Sequence, residues 1–490
     1  MQIVAASEIA EMIFDNATVI PGGFGCCGHP DLFTEALQAR FESTGHPNSL
    51  NLLFASGAGD KAGKGLDRLA AKGMVKQAIG GFWGFCPELS RAARDGQLEG
   101  HNWPMGTVSH LFREIASGSP GVLSKVGLSS FVDPDVDGGC LTENVKPIVQ
   151  KTNFMGEEYL FYPTQKIDFT ILRGTYSDAQ GNISMEQEDA YHDAMIQAMA
   201  AKRFGGKVAV QVKKIVDKIP PDQVQIPAVM VDYVTICDDE KNHPSSYGIA
   251  DSVDQEVDNT ISLAKSLILD RAIKELPKGK NCINLGIGIP ALIGERLNND
   301  FGENSLTVES GIFNGTPLYE LSFGAADNPD AIIDQADLFT FYDGGGIDVA
   351  FLGFGEIDAH GRLNSSMFGK KQTGAGGFIN IAQSAKKIVL CGTLTAAGLE
   401  LSLNDGELTI INEGKVKKFV NQVQQITVDA SHELFANKEI LVITERAVFN
   451  LSRDGLELIE IASGISTDEI ESQIDYPISI SPSLKKINLV

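Results

Sequence analysis

The stretch IDFTILRGTYSDAQGNIS, residues 167–184, returns in altered form as IDVAFLGFGEIDAHGRLN at residues 347–364. Aligned without a gap at an offset of 180, six of the eighteen positions are identical. Unrelated segments of ordinary composition share roughly one. The same offset lays Lys207-Val208-Ala209-Val210 over Lys387-Ile388-Val389-Leu390, and both read as buried strands. Earlier in each half, VIPGGFG (Val19–Gly25) matches the pattern of NLGIGIP (Asn284–Pro290) at a different offset, so the first half carries an insertion between its glycine loop and its echo. A period this long is not that of a solenoid. Two related α/β domains fused in one chain are expected.

Apolar, β-branched runs alternate with helical patterns in both halves. Strands are expected at Ala17–Ile20, Ile167–Leu172, Val208–Val212, Cys282–Leu285 and Ile388–Leu390. Helices are expected at Pro30–Glu42, Asp189–Lys202, Thr260–Glu275 and Pro290–Leu297. Strands separated by helices imply mainly parallel sheets with crossovers, in three-layer-type domains. The polar run Asp238–Val257, which contains Pro244, reads as the connection. The expected division is an N-terminal domain over 1–240, a linker over 241–257 and a C-terminal domain over 258–490.

At 490 residues the chain exceeds one ordinary core. With 43% hydrophobic and 21% charged residues it is a globular composition. A net charge of −24 argues against nucleic acid, which needs a basic footprint, and against an anionic membrane surface. An anionic small molecule stays open, because local Lys and backbone N–H groups can hold it against the global charge. The seven Cys are scattered without a C-x-x-C, which fits free thiols in the cytoplasm and no metal framework. No run of eighteen apolar residues suggests a membrane span, and MQIVAASEIAEMIFDNATV reads as the first helix rather than a targeting signal.

Three glycine clusters could bring backbone N–H groups to an anion: Gly22–Pro30, Gly286–Pro290 and Gly369–Asn380. The second also fits a loose dinucleotide pattern, Gly286-x-Gly288-x-x-Ala291; tight turns without ligand are the alternative for it and for the first. The third sets Lys370 and Lys371 before Gly374-Ala375-Gly376-Gly377, a pairing suited to a polyanion or an oxyanion, or else a solvated surface loop. Glu309 stands where the apolar run Ser305–Val308 gives way to Gly311 and Gly315. A carboxylate there can be a base, a ligand or a nucleophile, or simply cap a helix start. No metal-ligand spacing surrounds it, and Val308 occupies the place where a serine-hydrolase elbow needs glycine.

GGFGCCGHPDL, NLGIGIP with Glu309-Ser310-Gly311 about twenty residues on, GGGIDVAFLGFGEIDAHGRLN and GKKQTGAGGF resemble, in this order, the motifs of the glutamate-dependent CoA-transferases. FVDPDVDGG and EEYLFYP are similar to the single-chain, propionate-type branch. The resemblance covers nearly the whole chain. It implies transfer of CoA from an acyl-CoA to a free carboxylic acid, of the short-chain or 3-oxoacid class, by a ping-pong route through a glutamyl-CoA thioester on Glu309. It also implies oxyanion donors at Gly376 and Gly377, and substrate or CoA contacts at Gly23, Gly25, Gly28, Gly286, Gly288, Ile289, Lys370 and Lys371. No tightly bound cofactor or metal is expected, CoA being substrate and covalent intermediate, and the family implies a homodimer or homotetramer. The usual E-N-G is here Glu309-Ser310-Gly311, and the first half lacks a glutamate motif, so one active site per chain is expected. Against this stand a hydride-transferring enzyme built on the Gly286 loop, a non-catalytic ligand sensor, and an acyl-CoA hydrolase.

Overall fold

The computed structural model describes residues 1–237, 239, 242–250 and 261–488. Of the linker expected at 241–257, residues 241 and 251–257 lie outside the described residues, and 247–250 form a short helix. The chain forms two compact units. The first comprises Met1–Asp254 with Val308–Phe341 and Lys371–Asn380; the second comprises Gln255–Thr307, Tyr342–Lys370 and Ile381–Val490.

The first unit is built on a sheet whose strands run in the order Gln2–Ile3, Tyr233–Ile236, Lys207–Val212, Phe169–Arg173, Thr18–Pro21, Leu50–Ser56, Val75–Phe82, Glu99–Asn102. Every adjacent pair is parallel. Parallel strands need crossovers that cover the sheet faces, so their residues are buried on both sides. Phe169–Arg173 shows this, with all five residues buried. Phe33 and Leu37 of helix Asp31–Thr44 pack with Val19, Leu52, Phe169 and Ile171 in one core. That helix ends on Gly45 at φ 74, a left-handed cap that glycine adopts without Cβ strain. The inserted region supplies a three-stranded antiparallel sheet, Gly121–Ser124, Glu157–Pro163 and Gln150–Phe154.

In the second unit residues 305–307, Cys282–Leu285, Val349–Gly353, Lys387–Cys391 and Glu439–Ile443 are parallel neighbours in that order, the strand Ser305–Val308 ending on the first residue of the first unit's Val308–Phe341. Ala447–Ser452 and Gly455–Ala462 continue the sheet antiparallel, and Ser479–Ile487 closes it parallel to its neighbour. Ile283, Phe351, Val389, Ile443 and Ile268 form its core. The architecture is α/β with mainly parallel sheets, as the alternation of strand and helix patterns required.

The echo has a physical basis. Asp168 Oδ2 accepts the Thr18 N–H at 3.0 Å, and Asp348 Oδ2 accepts the Cys282 N–H at 2.8 Å, so each ties its strand to the start of the next strand over. Gly22 and Gly286, at the exits of those neighbours, donate to Ile171 and Phe351, both at 2.8 Å. Asp178 Oδ1 accepts the N–H groups of Gln180, Gly181 and Asn182; Asp358 Oδ1 accepts those of His360 and Arg362. Gly181 and Gly361 take the left-handed turn position, at φ 98 and 77. Of the six identical pairs, Asp168/Asp348 make the same strand tie twice, and Asp178/Asp358 with Gly181/Gly361 make the same turn twice.

The expected helices begin later in the structure than in the sequence reading. Asp189–Lys202 starts only at Ala194, because His192 and Asp193 hold φ 52 and 60. Pro290–Leu297 shrinks to Leu292–Arg296. The others fall at Asp31–Thr44 and Leu263–Ala272, the latter capped by the Ser262 hydroxyl.

Candidate active site

Strand Ser305–Val308 ends in a β-turn closed by the Gly311 N–H on the Val308 carbonyl at 3.0 Å, with Glu309 and Ser310 at its centre. Gly311 sits at φ 113, and a Cβ there would collide with the Ile333 carbonyl, so only glycine fits. Ser310 is fully buried and its hydroxyl donates to the Gly324 carbonyl at 2.6 Å, which pins the turn.

Glu309 keeps a partly open edge to solvent, yet its carboxyl is packed deeply enough to be strongly desolvated. Burial pushes its pKa from the ordinary 4.5 to about 7, while the Gly377 N–H, which donates to the carboxylate, pulls the other way. Contact with Gly377 is close: a Cβ there would stand 2.5 Å from Glu309 Oε2 and 2.8 Å from Cδ. The strip Gly374–Gly377 is carried by the strand ends of the first unit. Trp83 N–H donates to Thr373, Gly376 N–H to Gly81, Met105 N–H to Gly376, and Ala375 N–H to the Asn102 side chain. Phe82 flanks the strip, its ring 3.2 Å from where a Gly376 Cβ would lie. Beyond it Phe85 and Phe323 continue an aromatic wall, at centroid separations of 5.4 and 6.1 Å.

The two glycines expected to act as paired donors are therefore unequal. Gly377 points its N–H at Glu309, whereas that of Gly376 is taken by Gly81 at 3.0 Å. At φ 55, Gly376 supplies the left-handed turn that brings Gly377 round.

The N-terminal glycine loop spends much of its backbone internally. Gly22 donates to Ile171, Phe24 and Cys27 donate to each other, and Gly25 donates to the Ser56 hydroxyl at 3.1 Å. Its glycines answer to close packing: a Cβ on Gly28 would run into the His192 ring, one on Gly23 would lie 3.0 Å from the Cys27 carbonyl, and one on Gly25 would press on Phe85. His29 is a satisfied buried residue, paired with the Gly22 carbonyl and the Thr34 hydroxyl. Trp83 and Trp103 are fully buried. Burial pushes the Cys26 thiol up to about 12 and that of Cys27 well above the ordinary thiol range, so neither supplies a thiolate.

Gly286, Gly288 and Ile289 belong to the second unit. Gly286 N–H is used by Phe351, Gly288 stands at φ 90 with open space where a side chain would project, and Ile287 beside it is exposed. Lys370 and Lys371 are both exposed; Lys371 belongs to the first unit and Lys370 to the second. Among the described residues no cluster of three or more His, Cys, Asp or Glu is arranged to hold a metal, and no helix is long and apolar enough to cross a membrane.

Sequence reasoning missed Asn102, the buried Ser310 bond and the aromatic wall. Asn102 lies 273 residues from its partner Ala375, and nothing local marks it.

Residues 3–236 match the family model for coenzyme A transferase. The acetate CoA-transferase YdiF of Escherichia coli K12 is 37% identical over 99% of this chain and 93% of its own length. A caffeate CoA-transferase of Acetobacterium woodii is 36% identical over 99% and 96%. The crystal structure of the YdiF apoenzyme from Escherichia coli O157:H7 superposes with a TM-score of 0.92 at 36% identity, covering 99% of this chain and 95% of that one. A thioester complex of YdiF with CoA gives 0.91 at 35% identity over the same shares.

Proposed function

The chain belongs to the coenzyme A transferase family, and we propose that it moves CoA from an acyl-CoA to a free carboxylic acid with Glu309 as the nucleophile. The observation that carries this reading is the Glu309 carboxyl itself: turned out of a strand end, desolvated, and facing the Gly377 N–H. A carboxylate in bulk water is blunted by its hydration shell. Here burial removes part of that shell, while a pKa of about 7 leaves about half the groups ionised at neutral pH.

One Glu309 oxygen attacks the thioester carbonyl. The C–S bond breaks, giving an acyl–glutamyl anhydride and CoA thiolate. The thiolate then attacks the glutamyl carbonyl, the anhydride C–O bond breaks, and the first acid leaves as its carboxylate. A second carboxylate attacks the resulting glutamyl-CoA thioester and expels the thiolate, which takes the new acyl group and restores Glu309. Each half is the reverse of the other and no net proton is consumed. Attack at the glutamyl carbonyl builds negative charge on an oxygen beside the Gly377 N–H, a contact of the kind worth roughly 3 kcal/mol. Gly376 serves here through its backbone turn rather than as a second donor. Binding energy from the distant nucleotide and pantetheine of CoA holds the sulfur in place. Gly23, Gly25, Gly28, Gly286, Gly288, Ile289, Lys370 and Lys371 remain the proposed substrate-side contacts, the lysines for CoA phosphates.

The relatives named for acetate and caffeate, and the YdiF thioester complex, support this reading. For this chain we propose short-chain or 3-oxoacid acceptors, a cytoplasmic setting consistent with its free thiols, and a homodimer or homotetramer. Incubation with acetyl-, propionyl- and acetoacetyl-CoA without acceptor, followed by digestion, yields a CoA adduct on the Glu309 peptide. Adding a panel of acids then transfers it. A Glu309→Gln protein that still moves CoA between acids would overturn the assignment.

A further inference from the structure

We propose that Asn102 is a positioning residue for the reacting carboxyl, holding the Gly374–Gly377 strip where Gly377 meets Glu309; the inference rests on Glu309 being the nucleophile. Asn102 is fully buried at the end of strand Glu99–Asn102. Its amide nitrogen donates to the carbonyls of Gly80 and Gly81 at 2.7 and 2.5 Å, and its Oδ1 accepts the Ala375 N–H at 2.8 Å. Its own N–H donates to Gly139 at 2.7 Å. Gly81 also accepts the Gly376 N–H, so one amide grips both the strand end and the strip laid against it.

Beside Asn102, the strip is held by the Gly376 N–H on Gly81 and the Met105 N–H on Gly376. Three of its four residues are glycine, with no side chain to pack. Gly374 stands at φ 77, and a Cβ there would lie 2.7 Å from the Asn102 nitrogen, so strip and amide are in direct contact. Gly377 is two residues past Ala375 and offers the N–H that meets Glu309. An amide alone among side chains of this shape donates to two carbonyls and accepts one N–H at once. A carboxylate would face the two carbonyls with no proton to give, and an alkyl group would leave the buried Ala375 N–H unpaired.

The test uses full-length Asn102→Asp and Asn102→Ala beside wild type and Glu309→Gln. Folding is followed by thermal melts, and activity per folded enzyme by kcat, KM for acyl-CoA, the rate of CoA-adduct formation without acceptor, and their pH profiles. The expected result is a fall on the order of 100-fold in kcat and adduct rate, the loss typical of a misplaced reacting group, with KM for acyl-CoA changed by less than about threefold. In Asn102→Ala the acid limb of the profile moves to higher pH, because Glu309 loses the donor that favours its ionised form. The Asn102→Asp to Asn102→Ala activity ratio rises as pH falls, since a protonated carboxyl regains one donor. Folded variants with wild-type adduct rates and an unmoved acid limb would refute positioning while leaving Glu309 standing. Loss explained by unfolding alone, or a pH-independent ratio, refutes it as well by making the role structural. An adduct on Glu309→Gln would instead remove the nucleophile beneath it.

Discussion

Replacing Gly377 by alanine places a methyl group against the Glu309 carboxyl with almost no other change. Gly377 is not at positive φ, so alanine carries no backbone penalty there. Its Cβ would stand 2.5 Å from Glu309 Oε2 and 2.8 Å from Cδ. Ordinary contact begins near 3.5 Å, so the carboxyl must retreat by about 1 Å or the strip must lift by as much. A displacement of that size at a reacting group costs about 100-fold in rate, or roughly 2.7 kcal/mol of activation free energy. The retreat also breaks the Gly377 hydrogen bond. Two effects of comparable size on one step then fall short of adding, because the lost contact and the displacement are the same event. The assay is the initial rate of CoA transfer, with the adduct-forming half-reaction measured alone. Both fall by at least the single-effect factor, and the melting temperature drops by no more than an overpacked side chain explains, about 1–3 kcal/mol. A Gly377→Ala enzyme with wild-type turnover would mean that neither this contact nor this glycine shapes the reaction.

Further expectations follow from the same geometry. With Glu309 titrating at about 7, kcat/KM rises about tenfold per pH unit below that value and levels above it; a profile flat from pH 5 to 8 would contradict the raised pKa. The raised carboxyl also burdens the fold: its folded pKa lies above the ordinary 4.5, so the penalty is absent below that pH, grows through the interval and is complete above about 7. Glu309→Gln is accordingly more stable than wild type at pH 8 and equal to it near pH 4, read by urea unfolding. Ser310→Ala leaves the Gly324 carbonyl without its buried donor and costs about 1–2 kcal/mol. Ser310→Asn, which restores the residue common in the family, overpacks a fully buried position and lowers the melting temperature too.

How far the chain could be read from its residues depended on range. Asp168 and Asp348 looked like a repeated pair, and they are: each anchors the neighbouring strand. Ser305–Val308 read as a strand with Glu309 at its mouth because both the apolar run and the glycine turn are local. Gly376 and Gly377 read as equivalent because they are adjacent and identical. Only the Gly81 carbonyl, reached through the fold, distinguishes them. The N-terminal loop read equally as an anion cradle or a tight turn because glycine is ambiguous: it serves a bound ligand or a neighbour packed close. Ser56 beneath Gly25 and His192 beside Gly28 were not visible from the loop.

The order of strands and helices, the duplication, the glycine turns and the single carboxylate at a strand end were determined by the sequence alone, since each rests on periodicity or turn chemistry within a few residues. Tertiary structure decided that Val308–Phe341 and Lys371–Asn380 join the unit built by the first half. It also decided that Gly377 faces Glu309, and that Asn102 grips the strip carrying Gly377. Desolvation and hydrogen-bond pairing depend on which atoms surround a group in space, and those atoms come from segments hundreds of residues apart.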